Sequence, residues 1–117
     1  MIFTWILLAH WVGDFLLQTS KMALGKSQNF KWLFIHVITY TAVLLVCGLL
    51  LFPIETAITY VLLNCILHGV TDFFTSKLAA KYQEKPRVFF PILGFDQFIH
   101  IITLYITYLN RDSIFLF

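Results

Sequence analysis

Charged side chains are scarce in this sequence. Only 12% of its 117 residues are Asp, Glu, Lys or Arg, where a soluble domain carries roughly a quarter. A chain this small has too much surface for a core to hide 60% apolar residues, so an ordinary soluble domain is excluded. Cysteine is nearly absent. Cys47 and Cys65 lie inside apolar runs, which predicts packed thiols rather than a disulfide, and their spacing is not that of a metal knuckle. Residues 2–19 lack the basic leader and small-residue cleavage pattern of a secretory signal and contain His10 and Asp14, so the first helix is expected to stay attached. There is no glycine-rich phosphate motif or zinc-finger spacing. The basic residues are mostly divided between two short loops, and no nucleic-acid partner is expected.

What is present is long apolar sequence. At about 20 residues per crossing, the chain has room for four or five membrane helices and none for a separate soluble catalytic domain. The expected architecture is all-α: a polytopic four-helix transmembrane bundle in a single domain over 1–117, with helices near 2–19, 31–52, 54–78 and 92–109. Residues 20–30 read as a polar connection with room for a short interfacial helix. Pro53 ends the second helix and can open the third, while Pro86 and Pro91 limit continuous helix before the fourth. Lys21, Lys26 and Lys31 form one basic cluster, and Lys77, Lys81, Lys85 and Arg87 form another. Positive charge in short loops marks the cytoplasmic side, which predicts both clusters inside and both termini outside. Lys21 and Lys77 read as lysines at the membrane edge, Asn64 and Gln18 as extensions of a polar network, and Gln18 and Gln97 equally as interfacial residues met by water.

The few remaining ionisable residues are patterned. HWVGDF at 10–15 recurs imperfectly as HGVTDF at 68–73, each near the end of a helix running toward a basic loop. Each is followed by a helix carrying a histidine, His36 or His100. Two helical hairpins in parallel orientation follow, related by a pseudo-twofold axis along the membrane normal. Helical rise places His10, Asp14, His36, His68, Asp72, Asp96 and His100 in one layer, roughly 4 to 14 Å below the cytoplasmic boundary. His10 and Asp14, His68 and Asp72, and Asp96 and His100 are each four apart and share a helix face. A mid-bilayer Asp costs about 2.5 to 3.5 kcal/mol on insertion scales, so these groups must face one another or a wet cavity. Three readings follow: a hydrogen-bonded structural core, a proton or ion relay, or a divalent-metal site. The metal reading names His10, His36, His68, Asp72, Asp96 and His100 as candidate ligands and zinc as the ion. Asp14 is the candidate base, and Lys21 and Lys77 are candidates for neutralising an anionic substrate.

AHWVGDFLLQT, Lys21, His36, LHGVTDFFTSK and FDQFIH, in that order, resemble an uncharacterised family of small bacterial and phage multi-pass membrane proteins defined by a domain of unknown function. The likeness covers nearly the whole chain. It implies functional positions at His10, Asp14, Gln18, His36, His68, Asp72, Lys77, Asp96, Gln97 and His100, and a location in the bacterial inner membrane. The family is also faintly similar to membrane-bound metal-dependent hydrolases. The leading expectation is therefore a divalent-metal-binding membrane protein that hydrolyses a lipid head group or membrane-associated phosphate ester. An ion or proton transport component and a non-catalytic membrane adaptor are the alternatives. Membrane lipids are the expected partners, with a homo-oligomer to help enclose the site.

Overall fold

A computed structural model describes residues 1–114. The described residues form five α-helices and contain no strand. Three of the helices are long and apolar enough to cross a membrane. The first of these three, α3 (Phe30–Leu51), starts where the Asn29 side chain accepts the Lys31 amide at 2.8 Å. It runs until Phe52, which is held extended by the proline that follows. Pro53 has no amide to lose, so α4 (Ile54–Lys81) begins at once and returns alongside α3. After a short turn α5 (Pro86–Leu109) packs on the other flank of α4.

The N-terminal region departs from one continuous helix over 2–19. It consists of α1 (Ile2–Trp11), a π-helical turn at Val12–Leu16, and the short α2 (Ser20–Gly25). In the π turn the Leu17 amide reaches back five residues to the Val12 carbonyl at 2.9 Å. The Thr19 hydroxyl then accepts the Met22 amide at 3.2 Å and starts α2. The other ends also shift. α4 continues to Lys81 rather than stopping near 78, and α5 begins at Pro86 rather than near 92. Pro86 stands at the first helical position, where the missing amide costs nothing. Pro91 forfeits only the bond to Arg87, so two prolines leave α5 intact at its start.

α1 lies against α3 and α5, and α2 folds under α3. At the end near Pro53 the core is apolar, with Ile6, Leu44, Ala57, Val61 and Leu104 buried. There a Cβ on Gly48 would meet Val61 at 3.4 Å and Ala57 at 3.5 Å, ordinary contact distances, so α3 and α4 run close together beside their tight turn. Tyr60 donates to the Leu104 carbonyl at 2.8 Å, and Asn64 donates to Thr107 Oγ1 at 2.9 Å, tying α4 to α5. The outward faces carry exposed Phe34, Leu50, Ile66 and Phe74, while the histidines and the aspartates Asp14, Asp72 and Asp96 are buried inside. Apolar groups outside and ionisable groups inside suit a hydrocarbon surrounding rather than water. Cys47 and Cys65 are free thiols.

Candidate metal centre

Seven side chains from the π turn and four helices converge near the basic end of the molecule. His10, Asp14, His36, His68, Asp72, Asp96 and His100 are all buried, none exposing more than 6% of its surface. One chain suffices to enclose them. The i, i+4 spacing brings the expected pairs together: His10 Nε2 to Asp14 Oδ2 at 3.7 Å, His68 Nε2 to Asp72 Oδ2 at 3.5 Å, and His100 Nε2 to Asp96 Oδ1 at 3.2 Å. The shorter contacts cross between helices.

The heart of the cluster is Asp14, His36, His68 and Asp72, which each offer one donor atom to a four-donor point, all four atoms within 4.8 Å of one another. His36 Nε2 is 3.0 Å from Asp14 Oδ1, 3.0 Å from Asp72 Oδ2 and 3.2 Å from His68 Nε2. His68 Nε2 is 3.6 Å from Asp14 Oδ1 and 3.5 Å from Asp72 Oδ2. A tetrahedral ion with ligands at about 2.0–2.2 Å holds its donors about 3.3–3.6 Å apart. Two of the five separations fall within that edge length and the three made by His36 are shorter, 3.0 to 3.2 Å. Protons alone serve this arrangement poorly, because a single His36 Nε2–H would have to satisfy two carboxylates and a second imidazole nitrogen. Charge points the same way: three buried carboxylates face one lysine, Lys26, whose Nζ is 3.2 Å from Asp72 Oδ2. Two negative charges remain, which one divalent cation or two protonated imidazoles would balance.

The surrounding hydrogen bonds fit the same assignment. His68 Nδ1 lies 3.2 Å from His100 Nδ1, so one of the two carries the shared proton. Placing it on His68 frees His68 Nε2 as a lone-pair donor toward the centre. His100 then holds its own proton on Nε2, between Asp72 Oδ1 at 3.0 Å and Asp96 Oδ1 at 3.2 Å. That is the pattern in which outer groups fix the tautomer of a ligating histidine. Asp14, His100 and Asp96 also offer donors close to one another. Gln97 donates to Asp14 Oδ2 at 3.0 Å and to Asp96 Oδ2 at 3.1 Å, and its carbonyl stands 2.8 Å from His10 Nε2. Thr75 donates to Asp96. Tyr40 closes the side away from the basic loops, with its hydroxyl 3.0 Å from His10 Nδ1 and its ring stacked on His68 at 3.9 Å. Gly13 lets the π turn approach, since a Cβ there would lie 3.2 Å from Tyr40 Cα.

The expected set thus divides by position. His36, His68 and Asp72 lie at the four-donor point, and Asp14 joins them there. Asp96 and His100 stand beside that group, and both nitrogens of His10 are engaged by Tyr40 and Gln97. Lys21 is exposed on the wall of a neighbouring cavity. Lys77 is outside the cluster: its Nζ is 3.1 Å from the Ser27 carbonyl and 4.8 Å from the centre of the Phe73 ring. Asn64 bonds Tyr60 and Thr107, not the cluster. Lys26, Tyr40 and Thr75 are contributors that the sequence reading had not singled out, and Gln97 is part of the cluster's interior rather than its edge. Tyr40 was within reach, one turn beyond His36 on the same face.

On the basic side the cluster borders a cavity of about 840 Å³ between α2 and the adjoining ends of α4 and α5. Asp96 and Lys26 belong both to the cluster and to this cavity wall.

Residues 2–115 match the profile of the family described as "Protein of unknown function (DUF3307)". The chain belongs to this family. The description assigns its members no activity. No curated protein and no solved structure matches the chain. In this DUF3307 chain the donor set and its spacing are those of a site able to hold a metal ion.

Proposed function

We propose that this DUF3307 protein is a zinc-dependent membrane hydrolase acting on a lipid head group or a membrane-associated phosphate ester. The observation that carries the reading is the set of donor separations, 3.0 to 3.6 Å, among Asp14, His36, His68 and Asp72. Two imidazoles and two carboxylates with donors this close suit zinc better than calcium or magnesium, which prefer more oxygen ligands. When bound, such an ion supplies Lewis-acid polarisation of a phosphoryl or acyl oxygen.

The chain's own residues account for the rest. His100 orients His68, Gln97 holds Asp14 and Asp96 in register, and Tyr40 keeps the far side dry. Asp96, reached from the cavity and lying outside the four-donor set, is better placed than Asp14 to exchange a proton with substrate. Lys26 offers positive charge at the mouth of the centre, a role the sequence had suggested for Lys21 and Lys77. Conduction is the weaker alternative, because buried Leu44, Tyr60 and Leu104 fill the path beyond Tyr40.

The membrane setting of this reading is the bacterial inner membrane. The basic loops and the cavity face the cytoplasm, both termini lie outside, and α1 with its π turn forms a short fourth crossing. The two motif-bearing hairpins are then parallel repeats. Their Asp14–His36 and Asp72–His100 contacts of 3.0 Å each support that relation. Membrane lipids are the partners, and self-association is not needed to bury the centre.

Metal analysis of protein purified without chelators tests the proposal. About one zinc per chain is expected. Absence of metal, with zinc failing to bind on titration, would contradict it.

A further inference from the structure

The cavity beside the cluster has a composition of its own. Its volume of about 840 Å³ falls within the range of small-molecule sites. One part of its wall is polar and basic, with Lys21, Lys26, Gln18, Ser27 and Gln28. The other is apolar, with Leu24, Trp32, Phe89, Ile92 and Leu93. Two polar atoms on this wall, Gln18 Oε1 and Ser76 Oγ, are buried and have no hydrogen-bond partner among the described residues. Asp96, the acidic residue of the wall, is occupied by Thr75, Gln97 and His100. Of the two unpartnered atoms Gln18 Oε1 can only accept, whereas the Ser76 hydroxyl can donate, so with Lys21 and Lys26 the wall sets positive charge and a free hydroxyl donor against an apolar surface.

We infer that this cavity binds the phosphate head of an anionic amphiphile, with Lys21 and Lys26 meeting the phosphate and the Leu24–Trp32 and Phe89–Leu93 walls covering the first carbons of its chain. A free Ser76 hydroxyl beside two lysines suits a phosphate, whose oxygens accept several charge-assisted hydrogen bonds. An apolar wall continuous with the polar one distinguishes an amphiphile from a free ion. Lys26 links the cavity to the cluster, since its amine already rests on Asp72. The inference names the substrate class for the hydrolase reading and rests on that reading only for the reaction. Binding itself requires no metal.

Trp32 lines the cavity, whereas Trp5 and Trp11 are exposed on the outer face, so Trp5→Phe with Trp11→Phe leaves Trp32 as a single fluorescent reporter. In neutral detergent with a chelator present, this protein is titrated with dioctanoyl phosphatidic acid, dioctanoyl phosphatidylcholine and inorganic phosphate. Saturable binding of the phosphatidic acid is expected, with affinity reduced about tenfold or more in Lys21→Gln and in Lys26→Gln. Lys21 is exposed and makes no contact in the cluster, so its variant reports on the cavity without disturbing the core. Three outcomes overturn the inference: no saturable response, equal affinity for phosphatidylcholine, or no effect of either lysine variant. Inorganic phosphate binding as tightly as phosphatidic acid overturns the amphiphile assignment and makes this a free-phosphate site. Zinc binding measured separately on the same protein keeps the two ideas apart, because the cavity site can fail with the metal centre intact, and the reverse.

Discussion

His36 directs one nitrogen at two carboxylates and a histidine, while its buried Nδ1 has no partner among the described residues. Replacing it removes the proposed ligand together with its polar contacts to Asp14, Asp72 and His68, and no others. His36→Ala is expected to abolish stoichiometric zinc binding. His100→Ala removes the group that orients His68 and a partner of Asp72 and Asp96 but no proposed ligand, and should leave one site per chain with affinity lower by about 10- to 100-fold. Competition against a chromophoric zinc chelator separates these outcomes, and equal effects of the two substitutions would contradict the division of roles. Two glycines test the packing around the site with opposite signs. Gly13→Ala puts a methyl group against Tyr40 Cα and should cost about 1–3 kcal/mol, whereas Gly94→Ala fills open space on α5 and should add about 0.5–1 kcal/mol. Thermal unfolding in detergent measures both.

The elements show which features were legible in the sequence. Helical rise and the four-residue spacing of His10 with Asp14, His68 with Asp72 and Asp96 with His100 were enough to gather seven side chains at one depth. Rotation about each helix axis was not legible. It decides that Asp14 belongs at the four-donor point while His10 turns to Tyr40 and Gln97. The π turn was also hidden, since nothing in VGDFL marks a five-residue hydrogen bond. It ends the N-terminal helix early and allows α2 to fold back beneath α3, bringing Lys26 to Asp72 across 46 positions of sequence. Pro86 and Pro91 suggested a later start for α5 because prolines break helices in their interior; near a helix start they do little harm. The position of α2 depends on the Thr19 cap. Thr19→Ala should cost about 1 kcal/mol locally. Hydrogen exchange is expected to accelerate at the Ala23 and Lys26 amides while α3 and α4 keep their protection; uniform acceleration throughout would show that α2 does not fray independently.

For the whole molecule, scarcity of charge and concentration of charge have one explanation. A chain with exposed Leu50 and Phe74 and buried Asp14, Asp72 and Asp96 has exchanged the usual positions of apolar and ionisable groups. Burying those carboxylates costs free energy that partners must offset, and on the proposed reading a cation completes what Lys26 and the four imidazoles begin. Metal binding should accordingly stabilise the fold. At free zinc about 100-fold above its dissociation constant, stability is expected to rise by about 2.7 kcal/mol. This would be seen as an increase in melting temperature that His36→Ala removes. The most direct test of the central claim is anomalous diffraction at the zinc edge from crystals grown without chelator. The account predicts one strong peak within about 2.0–2.2 Å of His36 Nε2, His68 Nε2 and an oxygen each of Asp14 and Asp72. No anomalous peak, with His36 and His68 bonded directly to the carboxylates as in a purely structural polar core, would contradict it.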